Sequence, residues 1–120
     1  MTCSMDENLL GQDMKRPLSG RIGVAFERRR AEGRKALITF ITAGDPDLAT
    51  TERLVDAMID EGADLVELGI PYSDPIADGP VIQAANERAL KNGIRMGHVF
   101  ALASRLRVRT EVPLVLLLYV

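Results

Sequence analysis

The sequence has little cysteine and little histidine. Cys3 is the only cysteine among the 120 residues, so neither an intrachain disulfide framework nor a thiolate metal cluster can form. A reducing cytoplasm fits this usage. His98 is the only histidine, and it has no neighbouring cysteine or serine partner, which favours a half-exposed helical residue over a catalytic one. Ser73 and Ser104 lack a base at useful spacing, so a hydrolase triad has no support.

Long hydrophobic runs are also missing. The most apolar stretch, residues 112–120, is far short of the roughly 20 residues that span a bilayer, and it is typical of a buried strand. Residues 1–16 are polar and charged around one Leu-Leu pair and lack the apolar core of a signal peptide. We expect residues 1–16 to be a disordered N-terminal segment and residues 17–120 to form one domain.

Neither sign of charge dominates. With 15 basic and 17 acidic residues the formal charge is −2, and 47% of residues are hydrophobic, which is typical of an ordinary globular protein. The basic run at residues 28–35 is interrupted by Glu32 and ends a predicted helix, so we interpret it as a solvated helix end. Nothing in this balance indicates nucleic-acid binding.

Predicted strands and helices alternate along the chain. The periodicity and turn signals predict helices at 17–33, 48–61, 80–92 and about 96–106, and strands at 35–42, 65–70 and 114–120. Strands that are apolar on both faces and alternate with helices indicate parallel βαβ units, hence an α/β fold. Because the chain ends on its most hydrophobic strand, with no helix or strand after it, we expect the fold to be incomplete.

Glu67 is the residue of the second predicted strand most suited to chemistry. Leu65, Glu67 and Gly69 share one strand face, while Val66 and Leu68 share the other. A carboxylate pointing into a barrel near its top would lie where barrel enzymes keep catalytic groups, as a candidate general acid and base. The alternative is a structural glutamate bonded to backbone or to a basic partner.

Asp74 and Asp78 lie in the proline-rich loop that follows this strand, at residues 71–80. Each is followed by proline or glycine, which by itself favours turn chemistry. Three carboxylates near one loop, counting Glu67, favour a site instead. A Mg²⁺ site is another interpretation, although no phosphate-binding motif accompanies it and residues 42–47 match neither a Walker loop nor a dinucleotide fingerprint.

Two stretches carry a family resemblance: residues 37–46 (LITFITAGDP) and residues 66–80 (VELGIPYSDPIADGP). Together they resemble the tryptophan synthase alpha-subunit family, with the glutamate, glycine, proline, Ser-Asp-Pro and Ala-Asp-Gly elements in order and without a gap. Weaker resemblance reaches the LLLY of residues 116–119. The resemblance implies the N-terminal part of a (β/α)8 TIM barrel, about three βα units, incomplete.

The resemblance also implies a lyase of tryptophan biosynthesis. This is a retro-aldol cleavage of indole-3-glycerol phosphate into indole and glyceraldehyde 3-phosphate, without a metal or organic cofactor. Glu67 matches the family's general acid and base, and Asp78 matches the aspartate that binds the indole N–H. Leu117 and Tyr119 match strand positions that line the indole pocket.

A protein partner is implied as well. Pro71 and Asp74 match loop positions that face a beta subunit, which carries pyridoxal phosphate of its own and forms an α2β2 heterotetramer with the alpha subunit.

Length is the departure from the family, because a closed barrel needs roughly 250 residues. The family's phosphate cradle lies in loops after strands seven and eight, and that sequence is absent. We expect three strands with open edges to be marginal, to dimerise or to aggregate, and the 120-residue chain alone to be inactive. The alternative function is a catalytically inactive fragment that only binds a beta subunit. Another phosphosugar barrel enzyme would require the Glu67 and Asp78 pair to be coincidental.

Overall fold

The computed structural model describes residues 20–74 and 76–119. Four helices and three strands alternate in these ranges. They are α1 (Gly20–Ala31), β1 (Ile38–Thr42), α2 (Leu48–Asp60), β2 (Leu65–Gly69), α3 (Pro80–Lys91), α4 (Met96–Arg109) and β3 (Leu114–Leu117). The prediction for residues 1–16 lies outside the described residues.

The helix ends follow the expected capping chemistry. Asp47 is the N-cap of α2, where its side chain accepts a hydrogen bond from the Thr50 amide at 2.7 Å. Pro80 occupies the first turn of α3, where its missing N–H costs no helical bond. His98 is exposed in the first turn of α4, and its Nδ1 accepts a hydrogen bond from the Arg95 amide at 3.0 Å. The histidine therefore caps a helix, in agreement with a structural role.

The strands pair in parallel in the order β1-β2-β3, which confirms the predicted parallel βαβ arrangement. Strand β1 is shorter than predicted because residues before Ile38 do not join the ladder. The Leu37 amide instead donates to the Asp64 carboxylate at 2.8 Å, and its carbonyl accepts from the Asp64 amide. Helix α4 is longer than its apolar stripe, since Arg107 satisfies the carbonyls of Thr110 and Val112 beyond its end.

The main core lies between one face of the sheet and helices α2 and α4. Val66 and Leu68 of the central strand are fully buried there. Their buried partners are Val55, Ala63, Leu102 and Leu106. A second cluster lies at the carboxyl end of the sheet and consists of Ala43, Ile70, Ala89, Ile94 and Val99.

The turn after β1 joins this second cluster and needs a glycine. Gly44 has a φ of +90°, and a Cβ there would lie 2.3 Å from Cγ1 of Ile94. The same turn is tied to α3, because Arg88 forms a two-point ion pair with the Asp45 carboxylate at 2.8 and 2.9 Å. The loop at the carboxyl end of β1 is therefore packed against the helix that follows the loop of β2.

Helix α1 lies at the opposite, amino-terminal end of the strands. Arg29 pairs with Asp64, which precedes β2, and Arg21 pairs with Glu111, which precedes β3. Gly23 is its only fully buried residue among those described. The helix thus packs outside the sheet, as predicted, and leaves the carboxyl end free.

Candidate active site

The face of the sheet opposite the helices carries a single charged side chain. Register places Phe40, Glu67 and Val115 side by side on the three strands. Strand alternation adds the remaining members of this face, which are Ile38, Thr42, Leu65, Gly69 and Leu117. We call these eight residues the open face, because they lie on the side of the sheet opposite α2 and α4. Glu67 is the only ionisable residue among them.

Glu67 is the middle residue of β2, two positions before its carboxyl end, and is half-buried. The carboxylate makes no hydrogen bond or ion pair with residues 20–74 or 76–119. This disfavours the alternative of a structural glutamate held by a basic partner.

The aromatic ring of Phe40 lies on the open face beside Glu67. The Phe40 ring lies over Gly69, where a Cβ would be only 2.7 Å from the ring's Cζ. Glycine at position 69 therefore leaves room for the Phe40 ring near the carboxyl end of the sheet. Thr42 is buried at the same end, and its hydroxyl has no hydrogen-bond partner in the described part of the chain.

Asp78 lies in the loop after β2 and is held by the first turns of α3. The Gln83 side-chain amide donates to the Asp78 backbone carbonyl at 2.7 Å. The Asn86 amide Nδ2 lies 3.4 Å from the Asp78 carboxylate and donates to it. The aspartate is therefore attached through its main chain and its side chain to one helix.

Tyr119 reaches Asp78 from the end of the neighbouring strand. Hydrogen bonding to the Asp78 carboxylate raises the pKa of Tyr119, and desolvation and repulsion by the carboxylate add to this effect. The Tyr119 ring also stacks on the ring of Tyr72, with centroids 4.9 Å apart and 24° between the planes. A cluster of two phenol rings and one carboxylate thus forms at the carboxyl edge of the sheet.

The other predicted site residues take separate places. Leu117 is the last residue of β3, pairs with Gly69 and is 41% exposed on the open face. Pro71 is half-buried and Asp74 is exposed, both in the loop leaving β2. The structure brings Asp78 and Tyr119 together, puts Glu67 and Leu117 on one face, and leaves Asp74 outside both groups.

Sequence reasoning missed three neighbours of the site: Asn86, Tyr72 and Phe40. A signal for Asn86 was present, because this amide interrupts the apolar side of α3 four residues after Ile82. Phe40 could have been found by pairing the strands in register. The ring contact between Tyr72 and Tyr119 had no sequence signal, since 47 residues separate them.

The described residues contain no cluster that fits a metal ion. In 20–74 and 76–119, no three His, Cys, Asp or Glu side chains come together as ligands. Glu67, Asp74 and Asp78 lie in these ranges and do not converge, so the magnesium interpretation has no support among them. In the same ranges no helix has the length and apolarity to cross a bilayer.

A protein-family model described as the tryptophan synthase alpha chain matches residues 26–120. The chain belongs to the tryptophan synthase alpha chain family. A curated alpha chain from a Thermoanaerobacter species is 52% identical over 99 residues, which are 82% of this chain and 38% of that relative. The chain therefore spans about 38% of the length of the curated relatives it matches.

Solved structures of tryptophan synthase show the same fold. The alpha subunit from Legionella pneumophila superposes with a TM-score of 0.79 at 42% identity, covering 82% of this chain and 38% of that one. A chain of the tryptophan synthase complex from Pyrococcus furiosus superposes with a TM-score of 0.64 at 47% identity, covering 68% and 33%. These matches confirm the predicted α/β fold as part of a TIM barrel.

Proposed function

We propose that these residues form part of a carbon–carbon lyase that cleaves indole-3-glycerol phosphate. The observation that carries the proposal is the position of Glu67, the single ionisable group of the open face. In a parallel barrel this face is the interior, and catalytic groups lie towards the carboxyl ends of the strands. Membership of the alpha chain family supports the reaction class.

Glu67 acts as the general acid and base of the cleavage. The bond between indole C3 and the first carbon of the glycerol phosphate chain breaks. The hydroxyl on that carbon loses a proton and becomes the aldehyde, while C3 gains a proton. A carboxylate with no fixed partner and with apolar neighbours suits both transfers.

Asp78 binds the indole N–H and stabilises the positive charge that develops on the ring when C3 is protonated. Its carboxylate accepts a hydrogen bond from the Asn86 amide and raises the pKa of the Tyr119 hydroxyl nearby. An ionised carboxylate has acceptor positions to spare for a further donor. Leu117 and the Tyr119 ring supply apolar surface for the indole on the same side of the sheet.

The loop leaving β2 faces a beta subunit. Pro71 and Asp74 lie in this loop at the edge of the sheet that carries Asp78, and Asp74 is exposed. The Pyrococcus furiosus relative was crystallised as a tryptophan synthase complex. We infer an α2β2 assembly in the cytoplasm, in which pyridoxal phosphate belongs to the beta subunit and the alpha reaction uses no cofactor.

The test is a chimera in which residues 26–120 replace the matched segment of the Legionella pneumophila subunit. We expect the chimera to release indole from indole-3-glycerol phosphate and E67Q to reduce this rate by about 10²–10⁴-fold, the usual contribution of a general acid or base. Far-UV circular dichroism should be unchanged. E61Q, at an exposed glutamate after α2, should keep the parental rate; an E67Q chimera that also kept it would sink the assignment.

The binding-only function has one observation in its favour, the exposed loop at residues 71–74. It predicts that the 120-residue chain co-purifies with a beta subunit and releases no indole by itself. We expect these 120 residues by themselves to show no turnover, because they span only about 38% of the length of the curated relatives. Indole formation by the purified 120-residue chain would contradict this expectation.

A further inference from the structure

Asn86 is a buried amide on a helix whose other buried residues are alanines. It is 5% exposed, and α3 also buries Ala85 and Ala89. Thr42 and Thr51 are the other buried polar residues among those described, so Asn86 is the only buried side-chain amide there. A buried amide costs free energy unless it is hydrogen-bonded, and the partner of this one is Asp78.

Two side chains of α3 hold Asp78 from one direction. Gln83 and Asn86 are three residues apart, so they project from the same side of the helix. Gln83 donates to the Asp78 backbone carbonyl, and Asn86 donates to the Asp78 carboxylate. The first contact fixes where the residue lies and the second fixes how its carboxylate is turned.

We propose that Asn86 is a positioning residue that orients the Asp78 carboxylate towards Tyr119 and the carboxyl end of the open face. The consequence for indole binding rests on the proposed function; the contact itself does not. The carboxylate torsion of an aspartate is broad and has no strong preference of its own. The Asn86 amide, which donates to the carboxylate at 3.4 Å, favours one orientation over the others.

The Asp78 carboxylate raises the pKa of Tyr119, so titration of Tyr119 reports changes in the position of that carboxylate. The chain has two tyrosines and no tryptophan. In a Y72F background, tyrosinate absorbance therefore titrates Tyr119 alone. D78N removes the charged acceptor, so the Tyr119 pKa should fall. This decrease is the reference against which the Asn86 variants are compared.

N86A and N86L should each lower the Tyr119 pKa by more than half of the D78N shift. N86L keeps the number of side-chain heavy atoms and the branching but has no donor, so together with N86A it separates lost hydrogen bonding from lost packing. N92A, at the exposed end of the same helix, is the matched control and should leave the titration at the parental midpoint. A parental midpoint in N86L, or in D78N, would overturn the proposal.

A second measurement covers the case in which the Asn86 variants do not fold. Asp78 lies in a loop, and the side-chain amide signals of Asn86 can be followed by NMR in D78A. We expect these signals to move and their exchange with water to accelerate. Unchanged signals would overturn the proposal. None of these readouts requires turnover, so they stand or fall separately from the lyase assignment.

Discussion

The two faces of the sheet are built from alternate residues of the same strands, yet their side chains differ in how far they are exposed. We call the face that packs against α2 and α4 the covered face. Its central residues, Val66 and Leu68, are fully buried. On the open face, Leu65 and Thr42 are buried at the two ends, but Phe40 is 38% and Leu117 is 41% exposed, and Glu67 is half-buried. The covered face supplies most of the packing, and the open face carries the candidate chemistry.

Residues that stabilise the fold and the residue that carries the candidate chemistry therefore alternate along the same strand. A substitution one position along β2 moves a side chain from one face to the other. Variants at Val66 or Leu68 should therefore mainly lower the free energy of unfolding, whereas variants at Glu67 should mainly lower the activity.

The largest expected effect comes from placing a carboxylate on the covered face. V66E would bury an unpaired charge and should cost about 3–5 kcal/mol of unfolding free energy, enough to abolish a cooperative transition in a chain of this size. E67V, one position away, should stay within about 1 kcal/mol of the parent. Urea unfolding followed by far-UV circular dichroism measures both.

V66Q separates the charge from the size of the new side chain. It should cost less than V66E, because the neutral amide carries no charge to desolvate. Equal losses in V66E and E67V would show that the faces do not differ as described.

A matched pair of leucine truncations should give the next largest difference. L68A removes a fully buried side chain and should cost about 2–5 kcal/mol through lost burial and a residual cavity. L117A, on the open face, removes a side chain that is already 41% exposed and should cost less than about 1 kcal/mol. The urea midpoints of the two variants decide this, and comparable losses would argue that the open face is also a packed core.

A smaller effect is expected at Asp64, which joins α1 to the amino end of the sheet. Desolvation opposes ionisation of Asp64, but the Leu37 amide and the Arg29 guanidinium outweigh it and lower the pKa. A lowered folded-state pKa contributes stability that is full above the unfolded value of about 4 and is lost as the pH falls through the folded value.

D64N should therefore cost about 1.5–3 kcal/mol at pH 7, the range for hydrogen bonds to a charged group. The penalty should shrink progressively below about pH 4 as the parental Asp64 becomes protonated. Urea midpoints of parent and variant at several pH values test this. A penalty of constant size down to the lowest pH would contradict the assigned ion pair.

Much of this arrangement could be predicted because local rules decide it. Alternation along β2 placed Glu67 on the other face of the strand from Val66 and Leu68. Asp47 and Pro80 marked helix starts that the structure confirms. Strand ends were less predictable. The Leu37 amide bonds to a distant carboxylate instead of a strand, and no local pattern contains that partner.

The sequence by itself determined the order of the elements, the two faces of each strand and the position of Glu67, because side-chain direction follows from backbone periodicity. The tertiary structure alone decided which residues surround Asp78. Asn86 approaches it from a helix and Tyr119 from a strand end, and Tyr72 stacks on Tyr119 from a loop. Such contacts depend on how the parallel strands and their crossover helices pack, which no local spacing specifies.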